Sequence, residues 1–256
     1  AKLAAQPLKA ALQKVGLGKF WEQPEDASLL GILKDGNTLI QSVDSFPALV
    51  SDSWLNGRLT ALHACSDILA SGASVNSAQA LITLPAVSTS LQKELLSQSL
   101  DGINSVLSPQ GAHLVGGHTC ESRNVSSDPI SMGVEIALCV NGIVEQNANP
   151  WSKTGLQSGD EILISRPLGI GVIFAAAMRG KVSPIDLDVA LIQMNNSQHK
   201  IINSLRNLQA ENSPKQVVHA STDITGFGLL GHLGEMLRAT NSNRIKKELH
   251  LLEIHL

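Results

Sequence analysis

The segment Ser221-Thr222-Asp223-Ile224-Thr225-Gly226-Phe227-Gly228 sets a carboxylate at a sharp turn, and a helix with an apolar face follows it. A carboxylate and backbone N–H groups beside a helix N-terminus suit a bound phosphate and its metal ion. Three more aspartates stand where a core-forming chain does not need them. Asp26 precedes the first expected strand. Asp44 ends the second, after the apolar pair Leu39-Ile40. Asp67 lies inside an otherwise apolar helix, Ala64-Cys65-Ser66-Asp67-Ile68-Leu69. A carboxylate in a mostly buried helix is costly unless it is paired or bound to a metal. Hard oxygen ligands from separate elements suit Mg²⁺, with substrate phosphates completing the shell. Each aspartate also has a plainer reading. Asp26 and Asp44 suit a helix cap and a strand-end turn, Asp67 a solvated helix position, and Asp223 an N-cap. Spacing along the chain does not decide whether the four converge.

A second candidate is Gly116-Gly117-His118-Thr119, expected as a loop after a short strand. Glycines there let backbone N–H groups approach an anion; an ordinary tight turn is the alternative. His118 suits an acid–base role or a structural one. His63 and His232 fall in helices and read as packing or surface residues. Nothing near Cys120 in sequence activates its thiol. Lys2, by itself, reads as a terminal lysine.

Composition narrows the classes. The apolar fraction of 43% is ample for a core, charged residues are 16%, and the net charge is −3. Nucleic acid is therefore not expected as a partner, since phosphate neutralisation needs clustered Lys and Arg. No apolar run approaches the roughly 20 residues of a membrane span, and no signal peptide is visible. Cys65, Cys120 and Cys139 form no C-x-x-C pair, and their odd number suits a reducing cytosol.

These residues must be positioned by mixed elements. Helices are expected over 4–15, 55–69, 88–107, 171–178, 186–208 and 228–239. Strands are expected over 28–33, 38–44, 78–84, 113–116, 130–140, 161–165 and in the tail 244–256. Lys34-Asp35-Gly36-Asn37 is a hairpin signal. The pattern breaks around 147–159, which divides the chain into 1–150 and 151–256. The fold class expected is α+β (mixed α/β). No G-x-G-x-x-G follows a strand and no Walker-type loop occurs.

Taken together, these pieces resemble selenophosphate synthetase (selenide, water dikinase), of the superfamily that includes aminoimidazole ribonucleotide synthetase. The resemblance rests on Asp223-Ile224-Thr225-Gly226-Phe227-Gly228-Leu229-Leu230-Gly231-His232-Leu233 and on Arg166-Pro167-Leu168-Gly169-Ile170-Gly171. Gly57-Arg58 through Ser66-Asp67-Ile68 and the Gly116–Thr119 segment add to it. It implies a two-domain fold of that superfamily and the conversion of ATP, selenide and water to selenophosphate, AMP and phosphate. It implies Mg²⁺, with K⁺ as an accompanying cation, and a cytoplasmic homodimer joined through the β-rich first half. It implies Asp26, Asp44, Asp67 and Asp223 as metal ligands. Asp44, Asp67, Gly116, Gly117, His118 and Thr119, with Lys2, are implied for ATP. Ala1-Lys2 fits the last two positions of the family's N-terminal motif, so that Lys2 is the catalytic lysine and a nucleophilic Cys is expected upstream. The family continues beyond the equivalent of Leu256, so the second domain is expected to be C-terminally truncated, lacking part of its sheet. His63 departs from the family's Asn, Ser42 from its Thr, and Cys120 is unusual after Thr119. A thiamine-monophosphate kinase-like enzyme and a catalytically incomplete nucleotide-binding or dimerisation fragment are the alternatives.

Overall fold

The computed structural model describes residues 5–18, 25–46, 48–122 and 133–255. The first half is built on five strands: β1 (Ser28–Ile32), β2 (Thr38–Phe46), β3 (Ser74–Leu84), β4 (His113–Glu121) and β5 (Glu135–Val144), in the sheet order β1-β2-β5-β3-β4. Only β3 and β4 run parallel; the other neighbours are antiparallel. The β1–β2 hairpin forms where the sequence signals it. Gly36 takes φ +84°, and the Asn37 N–H donates to Asp35 Oδ1 at 3.0 Å.

Strand alternation places Ile40 and Ser42 on a covered face of the sheet and Val43 on the open one. The covering layer is α2 (Ser53–Ala64), α3 (Ser66–Ala70) and α4 (Thr89–Leu107), following an N-terminal α1 (Ala5–Lys14). Asp52 caps α2 by accepting the Leu55 N–H, and Ser88 caps α4 by accepting from Leu91. The expected helix over 55–69 is thus two helices, interrupted at Cys65. The main core lies between sheet and helices, with Ile40, Ile68, Ile82, Ile103, Leu107, Ile136, Leu138 and Val140 almost wholly buried.

The second half is helical among the described residues: α5 (Ile170–Ala177), α6 (Pro184–Met194), α7 (His199–Glu211) and α8 (Gly228–Lys246). Three segments depart from their local sequence pattern. The single helix over 186–208 is split because Arg58 takes the Asn195 carbonyl and side chain, ending α6. The expected strand over 161–165 has no ladder partner among the described residues, and extended backbone becomes a strand only when a neighbour supplies the bonds. The tail is not a strand: Asn241 exchanges two hydrogen bonds with Leu252, at 2.8 and 3.0 Å, in place of a ladder. Much of this half's apolar surface, including Leu163, Val172, Ile185 and Leu230, is exposed. Among the described residues no helix is long and apolar enough to cross a membrane. The mixed α/β class stands.

Helices α2 and α4 cross at glycines. A Cβ on Gly57 would come within 2.4 Å of the Ser99 carbonyl oxygen, and one on Gly102 within 2.0 Å of that of Trp54. Both obstacles are backbone, so they cannot swing aside. Gly102→Ala is therefore expected to lower stability by about 1–3 kcal/mol through overpacking, despite the roughly 1 kcal/mol that Ala gains in a helix. Urea unfolding measures it; unchanged or raised stability would show that the helices can separate without cost.

Candidate metal and nucleotide site

The site forms where the two halves meet. Glu25, just before β1, accepts the Ser152 hydroxyl at 2.6 Å and the Lys153 N–H at 3.1 Å. That contact fixes the crossover segment, residues 147–159 between the two halves, beside Asp26. The segment in turn holds 219–223. Ser221 N–H donates to the Ser152 carbonyl, and a Cβ on Gly155 would come within 1.9 Å of the His219 carbonyl oxygen. Thr222 then donates its hydroxyl to Asp26 Oδ1 at 3.3 Å, and Asp223 follows directly. From the other side, α3 delivers Ser66 and Asp67. Ser66 donates to Asp223 Oδ2, and Ser42 of β2 donates to Asp67 Oδ2.

Asp26, Asp67 and Asp223 each offer a carboxylate oxygen, and the three atoms lie within 4.8 Å of one another. Two oxygens on opposite sides of a Mg²⁺ stand about 4.2 Å apart. The donor set is therefore hard and anionic, and of a size that one ion could draw together. Burial, first, and then the neighbouring Asp223 push the Asp67 carboxyl up to about 7. Burial also dominates at Asp26, where it outweighs the ammonium of Lys153 and raises the carboxyl to about 6. The pair is unequal. Burial works against the charge of Lys153, but Asp26, Glu235 and Asp223 together hold its pKa above the ordinary value. Its Nζ lies 2.7 Å from Asp26 Oδ1 and 3.6 Å from Glu235 Oε2 on α8.

The other candidate residues fall elsewhere. Asp44 stands outside this triad and faces His63, with Oδ2 3.2 Å from Nε2. The His63 ring also stacks on Phe46, centroids 4.1 Å apart. Its expected packing role is thus joined by a carboxylate contact. Gly116, Gly117, His118 and Thr119 do not form a loop; they lie inside β4, which runs on to Glu121. Close approach to β3 explains Gly117, whose Cβ would meet the Ala80 carbonyl oxygen at 1.9 Å. This strand is three strand spacings from β2, about 14 Å, and an open groove between it and α4 is lined by Leu96, Leu100, Gly116 and Thr119. Cys120 is exposed, 3.3 Å from the Thr83 hydroxyl. His232 accepts the Thr225 N–H at 3.2 Å and so shapes the turn after Asp223. Lys2 lies outside the described residues. The sequence gives no sign of Glu25, Lys153 and Glu235 as site residues, and Ser66 enters there only as part of the Ser66-Asp67 motif. Lys153 sits in the polar stretch that marks the boundary, where nothing local distinguishes it from a solvated lysine.

Family models match both halves: AIR synthase related protein, N-terminal domain, over residues 24–146, and its C-terminal domain over 157–248. The chain belongs to the AIR synthase-related family. Among its relatives, the selenide, water dikinase of Bdellovibrio bacteriovorus is 30% identical over 94% of this chain and 65% of its own length. That of Aeromonas salmonicida is 34% identical over 83% of this chain and 55% of its own. The chain thus spans between about half and two thirds of the length of these relatives. Thiamine-monophosphate kinase from Stenotrophomonas maltophilia K279a shares the fold, with a TM-score of 0.64 at 19% identity over 93% of this chain and 73% of its own. Family models and fold agree with the resemblance read from the motifs.

The raised carboxyls fix a pH dependence. Each folded-state value lies above the unfolded 3.8, so the folded chain holds protons that the unfolded chain has lost. The resulting stabilisation is complete below about pH 4 and is lost as the pH rises through 6 and 7. With chelator present, these groups are expected to lower the urea midpoint between pH 5 and pH 8. Asp67→Asn should flatten that slope, and so should saturating Mg²⁺ in the native chain. An Asn variant with an unaltered slope would contradict the assignment.

Proposed function

We propose that the chain acts in the synthesis of selenophosphate from selenide and water. ATP is the phosphoryl source, and AMP and phosphate are the other products. The observation that carries the metal and nucleotide part is the convergence of Asp26, Asp67 and Asp223 from three separate segments onto one point. The selenium part is supported by the names of the sequence relatives, selenide, water dikinase. The donor set fits Mg²⁺, and Asp26, Asp67 and Asp223 would hold it. Bound there, Mg²⁺ would supply positive charge to the phosphate oxygens as negative charge develops on them.

The chain's own residues supply the rest of the arrangement. Ser42 and Ser66 orient Asp67 and Asp223 by donating to one oxygen of each, which leaves the other oxygens to face a ligand. Thr222 and Lys153 hold Asp26 from the second half. Asp44, next to His63 and near enough to influence the Asp67 carboxyl, extends the acidic wall on the β2 side. In this reading Lys2 is the catalytic lysine at the phosphates, and Gly116, Gly117, His118 and Thr119 contribute to nucleotide binding from the edge strand. K⁺ would accompany Mg²⁺. A cytoplasmic homodimer through the open face of the sheet accords with the exposure of Val43 and Leu81 there.

A second reading, a thiamine-monophosphate kinase-like enzyme, draws on the shared fold. Product identity separates the two, because selenophosphate synthesis releases AMP and a simple kinase releases ADP. The metal part has its own test. Calorimetry with ATP and Mg²⁺ should show at least a tenfold loss of affinity in Asp67→Ala, equivalent to about 1.4 kcal/mol. Unchanged nucleotide binding in that variant would refute the metal assignment, and selenide-independent ADP release would favour the second reading.

A further inference from the structure

The crossover segment carries a buried cation whose placement is more constrained than a reading as a solvated lysine allows. Lys153 is 6% exposed. Lysines commonly bury their stems and keep the ammonium in water; this one turns its ammonium inward. Its backbone is pinned on both sides. Upstream, the Trp151 N–H donates to the Ser71 carbonyl at 2.9 Å, and the indole sits over Gly72, where a Cβ would come within 2.6 Å of the ring. At the residue itself, Glu25 holds the N–H. Downstream, Gly155 lies against the His219 carbonyl. Nζ is thereby delivered to Asp26 from a fixed backbone.

The groups facing that ammonium are Asp26, Glu235 and, further off, Asp223. Among the described residues, no other Lys or Arg forms an ion pair with Asp26, Asp67 or Asp223. A divalent ion held by the triad would share Asp26 with Lys153. Two cations on one carboxylate repel each other, and burial limits the screening that water and salt would otherwise supply.

We propose that Lys153 is a resident counter-cation of the carboxylate triad, a positioning residue that holds Asp26 in the metal-free protein and competes with a divalent ion for it. Through that competition Lys153 sets how tightly the free site takes a divalent ion, and it links Asp26 to Glu235 on α8. This inference rests on the metal reading of the triad. The ion pair has a structural consequence as well: α8 is tied to the start of β1 through one ammonium.

The test is Mn²⁺ binding without nucleotide at pH 8, followed by the electron paramagnetic resonance signal of free Mn²⁺. It uses the native chain, Lys153→Met and Lys153→Arg. Met removes the charge while keeping most of the stem, so it should bind Mn²⁺ about tenfold more tightly, the effect of roughly one pKa unit's worth of interaction. Arg should stay within about threefold of the native chain, since the charge is retained. Equal or weaker binding by the Met variant overturns the inference and leaves the metal reading standing. No binding by any of the three overturns both. The unfolding midpoint with and without Mn²⁺ guards against a destabilised variant. The Mn²⁺-induced rise should be larger in Lys153→Met than in the native chain. An equal or smaller rise, or a Met variant that stays unfolded even with Mn²⁺, means that the lysine's role is one a metal ion does not replace, and the inference fails.

Discussion

Three aspartates whose carboxylate oxygens lie within 4.8 Å of each other crowd like charges together, and burial adds to the cost at Asp26 and Asp67, so cations are needed among them. That constraint organises the molecule. The sheet and α2–α4 enclose the main core, and they bring Asp67 to the surface of that core on a short helix after Cys65. The crossover segment brings the ammonium of Lys153. The turn before α8 brings Asp223. Each part is held by hydrogen bonds that end on a carboxylate: Ser42 on Asp67, Ser66 on Asp223, Thr222 on Asp26, and Ser152 on Glu25. At the triad the two halves meet through polar groups, and these hydrogen bonds and the Lys153–Asp26 ion pair are part of what joins them.

The balance among these charges sets the carboxyls of Asp26 and Asp67. Asp67 accepts a hydroxyl hydrogen bond from Ser42, and burial and Asp223 prevail over it. Asp26 has a direct ammonium, and burial still outweighs it. A charge-assisted pair at a buried site does not guarantee an ionised acid. A divalent ion held among the three acids would change this balance by adding two positive charges beside them.

The elements were legible where local chemistry decides them. Asp35-Gly36-Asn37 makes its turn with its own side chains and a positive φ, so the hairpin could be read directly. Asp67 stood out because an acid inside Cys65–Leu69 contradicts its apolar neighbours. Most of the departures share a cause: partners outside the local window overrode the local pattern, while the segment 161–165 lacks the ladder partner a strand needs among the described residues. Arg58 ends α6 from 137 residues away. Asn241 claims the backbone of Leu252. Parallel pairing with β3 turns Gly116–Thr119 from a loop into strand. Lys153 illustrates the limit most clearly. Its burial depends on Glu25, Gly72 and His219, none of them its sequence neighbours, so a polar boundary segment gives no sign of it.

The central claim is that Asp26, Asp67 and Asp223 make one divalent metal site. Crystals of the chain grown with Mn²⁺ and a non-hydrolysable ATP analogue, measured at the manganese absorption edge, test it directly. The account expects an anomalous peak within about 2.0–2.4 Å of an oxygen of each of the three carboxylates. A well-occupied manganese bound elsewhere, with no peak among these three, would contradict it.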